Sequence, residues 1–333
     1  MTEGESALPL DRLRPRIRPR RFYELDARPK RPHYRPLAHL LGVGLAFDRN
    51  RRVEYIEDPS ILGYSVAELE ELALANLQRI HQTGCFTEAA PGVWRATFED
   101  EFAAERMLLD DVFDELTLDG DPVVFLPAED TIMVVGANDT DALDRAFTLA
   151  AERAKDPEGL LDFAFQRRAG KWEPFKGEGP ISETQEYRVL FHLGPAYAVQ
   201  HDLLTARFKG KSDAPVLADF MVHAVAKMSM TRWKKGERTW LPLTSVVELD
   251  DGSPEKTAGN LADVFELDPG ALEAVADVWP ERFETKRFPS AAVLAKFRKD
   301  LEEPGAAAPR RRTAIIVALA AVAFVLYIIF GRR

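Results

Sequence analysis

The residues able to do chemistry are few in this 333-residue chain, and they are scattered. The six histidines are His33, His39, His81, His192, His201 and His223, and none belongs to an HExxH or similarly spaced pair. His192, His201 and His223 share the C-terminal half and could converge on a metal, but three unpaired histidines read more simply as structural or exposed. Cys85 is the one cysteine, in Thr83-Gly84-Cys85-Phe86, with His81 four residues earlier. A reactive thiolate there would need His81 as its cationic neighbour; a buried cysteine at a helix-to-strand turn is the plainer reading. No Gly-x-Ser-x-Gly elbow, P-loop or Gly-x-Gly-x-x-Gly is present. Gly42 and Gly44, in Leu41-Gly42-Val43-Gly44, mark close backbone packing in a strand. The carboxylates Asp110, Asp111, Asp114 and Glu115 read as the wet face of a helix. Asp250-Asp251-Gly252 reads as a turn without the calcium-loop spacing. No catalytic residue, metal ligand or cofactor is therefore assigned. An enzyme of unrecognised type, acting through carboxylates of the acidic body, remains the alternative.

A second chemical feature is basic. Arg12, Arg14, Arg16, Arg18, Arg20 and Arg21 crowd a segment with prolines at 15, 19, 29, 32 and 36. The prolines exclude a continuous helix or a central strand and favour extended geometry. Residues 1–37 carry a net charge of +5 and residues 38–309 one of −20. Three uses of the arm stay open: lying on the protein's own acidic body, binding anionic lipid headgroups, or binding nucleic acid or a partner. Aromatic residues are too sparse for single-strand stacking, and so acidic a body repels polyanions. Nucleic acid is accordingly the least expected partner.

Residues 313–330, TAIIVALAAVAFVLYIIF, contain no charge, proline or glycine. As a helix they would extend roughly 27 Å, close to a bilayer's hydrocarbon thickness. Arg310, Arg311 and Arg312 precede them and Arg332 and Arg333 follow, placed to reach headgroups at both ends. With no secretory signal at Met1–Leu8, the expectation is a tail-anchored, single-pass membrane protein whose bulk faces the cytoplasm, with the bilayer as one partner.

The elements that must position these residues follow from periodicity. GVGLAFD (42–48) and RVEYIED (52–58) predict a hairpin. Ser65 and Glu68 form a capping box opening a helix with Leu69, Ala73 and Leu77 on one stripe. Phe102, Leu109, Val112, Phe113 and Leu116 predict a second amphipathic helix, with Glu101, Glu105 and the acidic residues outward. VVFLP and TIMVVGA form a buried hairpin. Asn138–Asp141 cap a further helix, and DFAFQRR with KWEPF closes the unit. Over about residues 40–177 this succession resembles the uncharacterised bacterial YtpQ-like family. Ala73, Asn76 and Leu77 match its helix core, Pro127 and Asp130 its strand–turn–strand, and Glu173, Pro174 and Phe175 its closing strand. The resemblance implies no activity and no site residue.

In the second half, residues 186–194 predict a strand, and 197–208 fit a strand or a short helix. Ser212–Met230 predicts a helix burying Leu217, Phe220, Met221, Ala224, Val225 and Met228. TRW and RTWLPL suggest a hairpin. Pro269–Trp279 and Ser290–Leu301 predict two more helices. The expected fold is α+β, antiparallel hairpins layered with amphipathic helices in two units plus the C-terminal membrane helix. The expected divisions are 1–37 (arm), 38–180, 181–301, a 302–312 linker and 313–330. The expected role is protein interaction or scaffolding, with catalysis the less favoured reading.

Overall fold

The computed structural model describes residues 9–25, 30–49, 52–156, 159–254 and 257–302. The chain divides into two compact units, Met1–Arg188 and Val189–Arg333.

The first unit is built on antiparallel pairing. Strands β1 (Leu13–Pro19), β2 (Tyr34–Ala38) and β3 (Leu41–Asp48) form a sheet in the order β1-β3-β2, with β4 (Val53–Tyr55) paired to the end of β3. The short helix α1 (Arg20–Glu24) follows β1 directly. Pro15 is tolerated because β1 lies on the sheet's edge, where a missing amide breaks no second ladder. Helix α2 (Val66–Ile80) starts at the expected capping box, with Ser65 and Glu68 bonded reciprocally. Its Leu69 and Ala73 bury against Leu13, Leu45, Phe47 and Ile56.

A six-stranded antiparallel sheet follows, made of β5 (Thr87–Ala90), β6 (Val93–Thr97), β7 (Pro122–Ala128), β8 (Thr131–Gly136), β9 (Ala164–Arg168) and β10 (Lys171–Pro174). Its order is β10-β9-β7-β8-β6-β5. Helix α3 (Thr140–Arg153), capped by Asp139, sets Ala142, Leu143, Ala146, Phe147 and Ala150 on Val123, Phe125, Met133 and Val135. The helix expected over 102–116 is reduced to one 3-10 turn, Ala104–Leu108, and Glu105 points inward. Its buried partners are arginines of β1, which spacing within 102–116 alone cannot reveal.

Helix α4 (Gly179–Phe208) begins in the first unit and ends in the second. It replaces the strand expected at 186–194. Leu193, Ala196, Tyr197, Gln200 and Leu204 are buried at helical spacing, and Pro195 lies within the helix rather than ending it.

The second unit holds β11 (Val216–Leu217), β12 (Met221–His223), β13 (Met228–Lys234), β14 (Thr239–Pro242), β15 (Val246–Asp250), β16 (Thr257–Asn260), β17 (Leu272–Ala274) and β18 (Arg282–Thr285). They form two four-stranded sheets, β11-β14-β18-β17 and β12-β13-β15-β16, in which β11–β14 and β13–β15 pair in parallel. Helices α5 (Leu261–Leu267) and α6 (Ala291–Glu302) supply Leu261, Val264, Val293 and Phe297 to a core with Trp233, Leu241, Val247, Leu249 and Phe283. The helix expected over 212–230 is absent. Its segment forms β11, β12 and the start of β13, and Val225, assigned to a buried stripe, is 91% exposed at a turn. Partner strands supplied the hydrogen bonds that the local pattern had assigned to a helix. The pair expected as one hairpin, β13 and β14, joins different sheets. Pro269–Ala271 is a single 3-10 turn running into β17, not the start of a helix.

The fold is α+β. Among the described residues no helix is long and apolar enough to cross a membrane. This corrects the expectation of a tail-anchored, single-pass protein, which is carried no further. The segment 313–330 and its flanking Arg310, Arg311, Arg312, Arg332 and Arg333 lie outside the described residues.

Candidate functional site

The arginines of the N-terminal segment do not form one surface. Alternation along β1 sends Leu13 and Ile17 to one face and Arg14, Arg16 and Arg18 to the other, and all three arginines are buried. Arg16 donates from Nη2 to Glu129 Oε2 at 2.9 Å and from Nη1 to the Glu101 carbonyl at 2.7 Å. Arg18 Nη2 donates to the same Glu129 oxygen at 2.6 Å. Glu105, with no exposed surface, accepts the Ile17 amide at 2.7 Å and lies 3.7 Å from Arg16 Nε and 4.0 Å from Arg18 Nη1. Burial pushes the Glu105 carboxyl up, and the two arginines oppose that shift. Arg20 pairs with Glu24 at 3.3 Å, while Arg12 and Arg21 are exposed. Arg16 and Arg18 are thus held by the protein's own carboxylates Glu105 and Glu129, while Arg14 Nη1 donates to the carbonyls of Asp11 at 2.6 Å and Leu13 at 2.9 Å.

Tyr23 completes this attachment. Its hydroxyl donates to the Arg16 carbonyl at 2.6 Å and accepts the Gly44 amide at 3.1 Å. Its ring stacks on Tyr34 with centroids 4.6 Å apart. A Cβ at Gly42 would meet Tyr34 Cδ2 at 2.6 Å, so the close packing read from the two glycines is real.

The other chemical candidates stay apart. Among the described residues no group of three His, Cys, Asp or Glu side chains could hold a metal ion. His223 Nδ1 accepts the Ala226 amide at 3.1 Å in a turn, and His201 sits 3.9 Å from both Asp202 and Asp219. Burial and the charge of Glu115 push the Cys85 thiol up, which disfavours the thiolate a nucleophile needs. Of the other buried carboxylates, Asp162 is engaged by Arg188, and Asp268 by Arg287 and the Ser290 amide, whereas Asp263 Oδ2 is buried without a hydrogen-bond partner, 3.8 Å from Lys296 Nζ.

The arrangement that sequence reasoning missed is apolar. Ten large apolar residues are strongly exposed among the described residues, and six lie between positions 191 and 225. They are Phe191, Val199, Leu203, Val216, Met221 and Val225. Tyr197 stacks on Phe220 at 4.4 Å and His201 lies 3.9 Å from Asp219, so α4 runs alongside the chain entering β12. Both elements of the second unit therefore carry exposed apolar groups, Val199 and Leu203 on α4, Met221 on β12 and Val225 in the turn that follows it. The signal was hidden because the expected 212–230 helix put Met221 and Val225 in a core.

Comparison with known protein families, with curated proteins and with solved structures finds no match, so the YtpQ-like resemblance of residues 40–177 stands on its sequence motifs alone.

Proposed function

We propose that this protein works by binding another protein rather than by catalysing a reaction. The observation that carries the reading is the concentration of exposed apolar residues between positions 191 and 225, with Val199 and Leu203 on α4 and Met221 and Val225 on β12 and the turn after it. Clustered exposed apolar groups of this kind mark contact sites, whereas scattered single ones are ordinary. The engagement of Glu105, Asp162 and Asp268 by arginines and backbone amides supports it from the other side. A catalytic acid or base needs to reach a substrate, and Glu105, Asp162 and Asp268 are occupied.

The test is site-specific photocrosslinking in cells. A crosslinker at Leu203 or Val225 is expected to give a discrete adduct of constant mass, lost when Val199 and Met221 are changed to Asp. A crosslinker at exposed Lys171 in the first unit should give none. Equal adducts from all three positions, or adducts indifferent to the aspartates, would refute the assignment.

A further inference from the structure

A separate group of exposed apolar residues lies on the first unit. Among the described residues, that unit's strongly exposed large apolar side chains are Ile61 at 77%, Tyr64 at 45% and Val66 at 37%, all between positions 61 and 66. Single exposed apolar residues are ordinary, but three in one short turn form a patch. The turn itself is fixed. Asp58 caps the 3-10 turn Pro59–Leu62 by accepting the Ser60 amide at 3.0 Å, and Gly63, with φ at +74°, reverses the chain. Ser65 then caps α2. Pro59 is buried, Leu69 has no exposed surface, and Leu62 packs on the core of Leu13, Leu45 and Phe47. Held at both ends, the turn presents its three apolar groups outward. Tyr64 precedes the N-cap, where an apolar residue packs on the fourth helical residue, here Leu69. That contact involves neither Ile61 nor Val66.

The patch is set in anionic surroundings. From Val53 to Gln78 the sequence has six carboxylates and no lysine, arginine or histidine. Three of them are met by cations from elsewhere in the unit: Glu54 by Arg49 at 2.6 Å, Glu57 by Lys30 at 3.4 Å and Glu70 by Arg35 at 2.9 Å. Asp58, Glu68 and Glu71 form no ion pair among the described residues. Asp58 accepts from the Ser60 hydroxyl and amide, with His33 and Lys30 acting on it at longer range. Glu68 accepts from the Ser65 amide and hydroxyl. These bonds hold both carboxyls below the usual carboxylate range, so both are charged at neutral pH. Glu71 is exposed on α2.

We propose that this turn docks a protein segment that carries an apolar side chain beside lysines or arginines, the apolar group covering Ile61 and Val66 and the cations meeting Asp58, Glu68 and Glu71. Charge decides the class of partner. Nucleic acid or an anionic bilayer brings the same sign as the rim and is repelled. A second copy in a two-fold contact brings the same three carboxylates against the first set. A basic and apolar segment answers both features: the rim charges orient the encounter, and the apolar centre supplies the hold. The surface is distinct from the exposed residues between 191 and 225 and does not rest on their role.

The experiment pans a library of short random peptides against the full chain, with counter-selection on Ile61→Ser, a neutral change at an exposed position. Enriched peptides are expected to place Lys or Arg next to an aliphatic or aromatic residue. The most enriched one, synthesised with a fluorescent label, should bind Ile61→Ser at least about tenfold more weakly than wild type by anisotropy. Glu71→Gln should weaken it several-fold and flatten its dependence on salt. The same peptide with Glu in place of each basic residue should not bind. Failure to enrich any peptide, enrichment of peptides without basic residues, or binding indifferent to Ile61→Ser overturns the proposal. Self-association in sedimentation that Ile61→Ser abolishes would make a second copy the occupant, and Ile61-dependent binding to phosphatidylserine vesicles would make it a bilayer; either overturns the choice of partner. Crosslinking at Leu203 and Val225 reports on the second unit, so the two readings fail separately.

Discussion

The phenol of Tyr23 occupies the space that a side chain at Gly44 would need. A Cβ there would stand 3.0 Å from the Tyr23 hydroxyl and 2.9 Å from the His33 carbonyl oxygen. The same hydroxyl joins β1 to β3 by donating to Arg16 and accepting from Gly44. Tyr23→Phe removes both bonds and leaves a buried carbonyl without its donor, so it should destabilise the first unit by about 1–3 kcal/mol. Gly44→Ala should cost at least as much, because the backbone oxygen of His33 cannot move aside as a flexible side chain would. Denaturant unfolding of the two variants measures both; a Gly44→Ala protein as stable as wild type would show that the packing is looser than described.

The ion network around Glu105 makes a sharper distinction. Glu105→Gln keeps the shape but leaves Arg16 and Arg18 sharing Glu129 alone, with excess positive charge in a closed space. Breaking one side of a buried pair is expected to cost about 3–5 kcal/mol. Replacing Arg16 and Glu105 together by Met removes one charge of each sign and leaves Arg18 with Glu129. That double variant should be less destabilised than Glu105→Gln, despite carrying more changes. Equilibrium unfolding of Arg16→Met, Glu105→Met and the double variant forms the cycle, and strictly additive losses would mean the two charges do not interact.

Local patterns in the sequence identified the elements whose partners are near in the chain. Ser65 and Glu68 are three residues apart, and their capping box is present. The hairpins at 122–136 and 164–174 pair across short turns and were visible as alternation. Glu105 was placed on a wet helix face because its partners, Arg16 and Arg18, lie more than eighty residues away. The 212–230 segment has apolar residues at helical spacing, yet β12 pairs with β13 and β11 with β14, and no local rule anticipates those ladders. The strand expected at 186–194 and the undecided segment 197–208 form one helix through Pro195, because the buried series from Leu193 to Leu204 packs at helical spacing.

Asp268 gives the pH dependence a definite sign. It accepts from Arg287 Nη1 at 2.7 Å and from the Ser290 amide at 2.8 Å, just ahead of α6. Burial works to raise its carboxyl, but the bonds from Arg287 and Ser290 prevail and hold it below the usual aspartate range. A depressed folded pKa means that the stabilisation is complete above the ordinary aspartate value and fades as pH falls through the folded one. Asp268→Asn should therefore melt several degrees below wild type at neutral pH, with the two curves converging under strongly acid conditions. A gap that stayed constant down to the lowest accessible pH would assign the loss to packing rather than to the charge.

Pro195 offers the last prediction, on the helix that carries both Tyr197 and the exposed Val199 and Leu203. A proline inside a helix has no amide for the carbonyl four residues earlier, here Phe191, and its ring crowds that turn. The residue is exposed, so an alanine there removes no buried packing. On local grounds Pro195→Ala should stabilise the chain by up to about 3 kcal/mol. The opposing consideration is register. Tyr197 begins only two residues on, donates to the Glu281 carbonyl at 2.8 Å and accepts the Leu243 amide at 3.0 Å. If the proline sets the course of the helix into those bonds, straightening it would strain them. The propensity gain acts on every turn around position 195, whereas Tyr197 can adjust through its side chain, so the net expectation is a gain of about 1–2 kcal/mol. Thermal and denaturant unfolding of Pro195→Ala decide between the two effects. A lower midpoint, accompanied by a changed tyrosine signal, would show that the proline is retained to aim Tyr197 at β18.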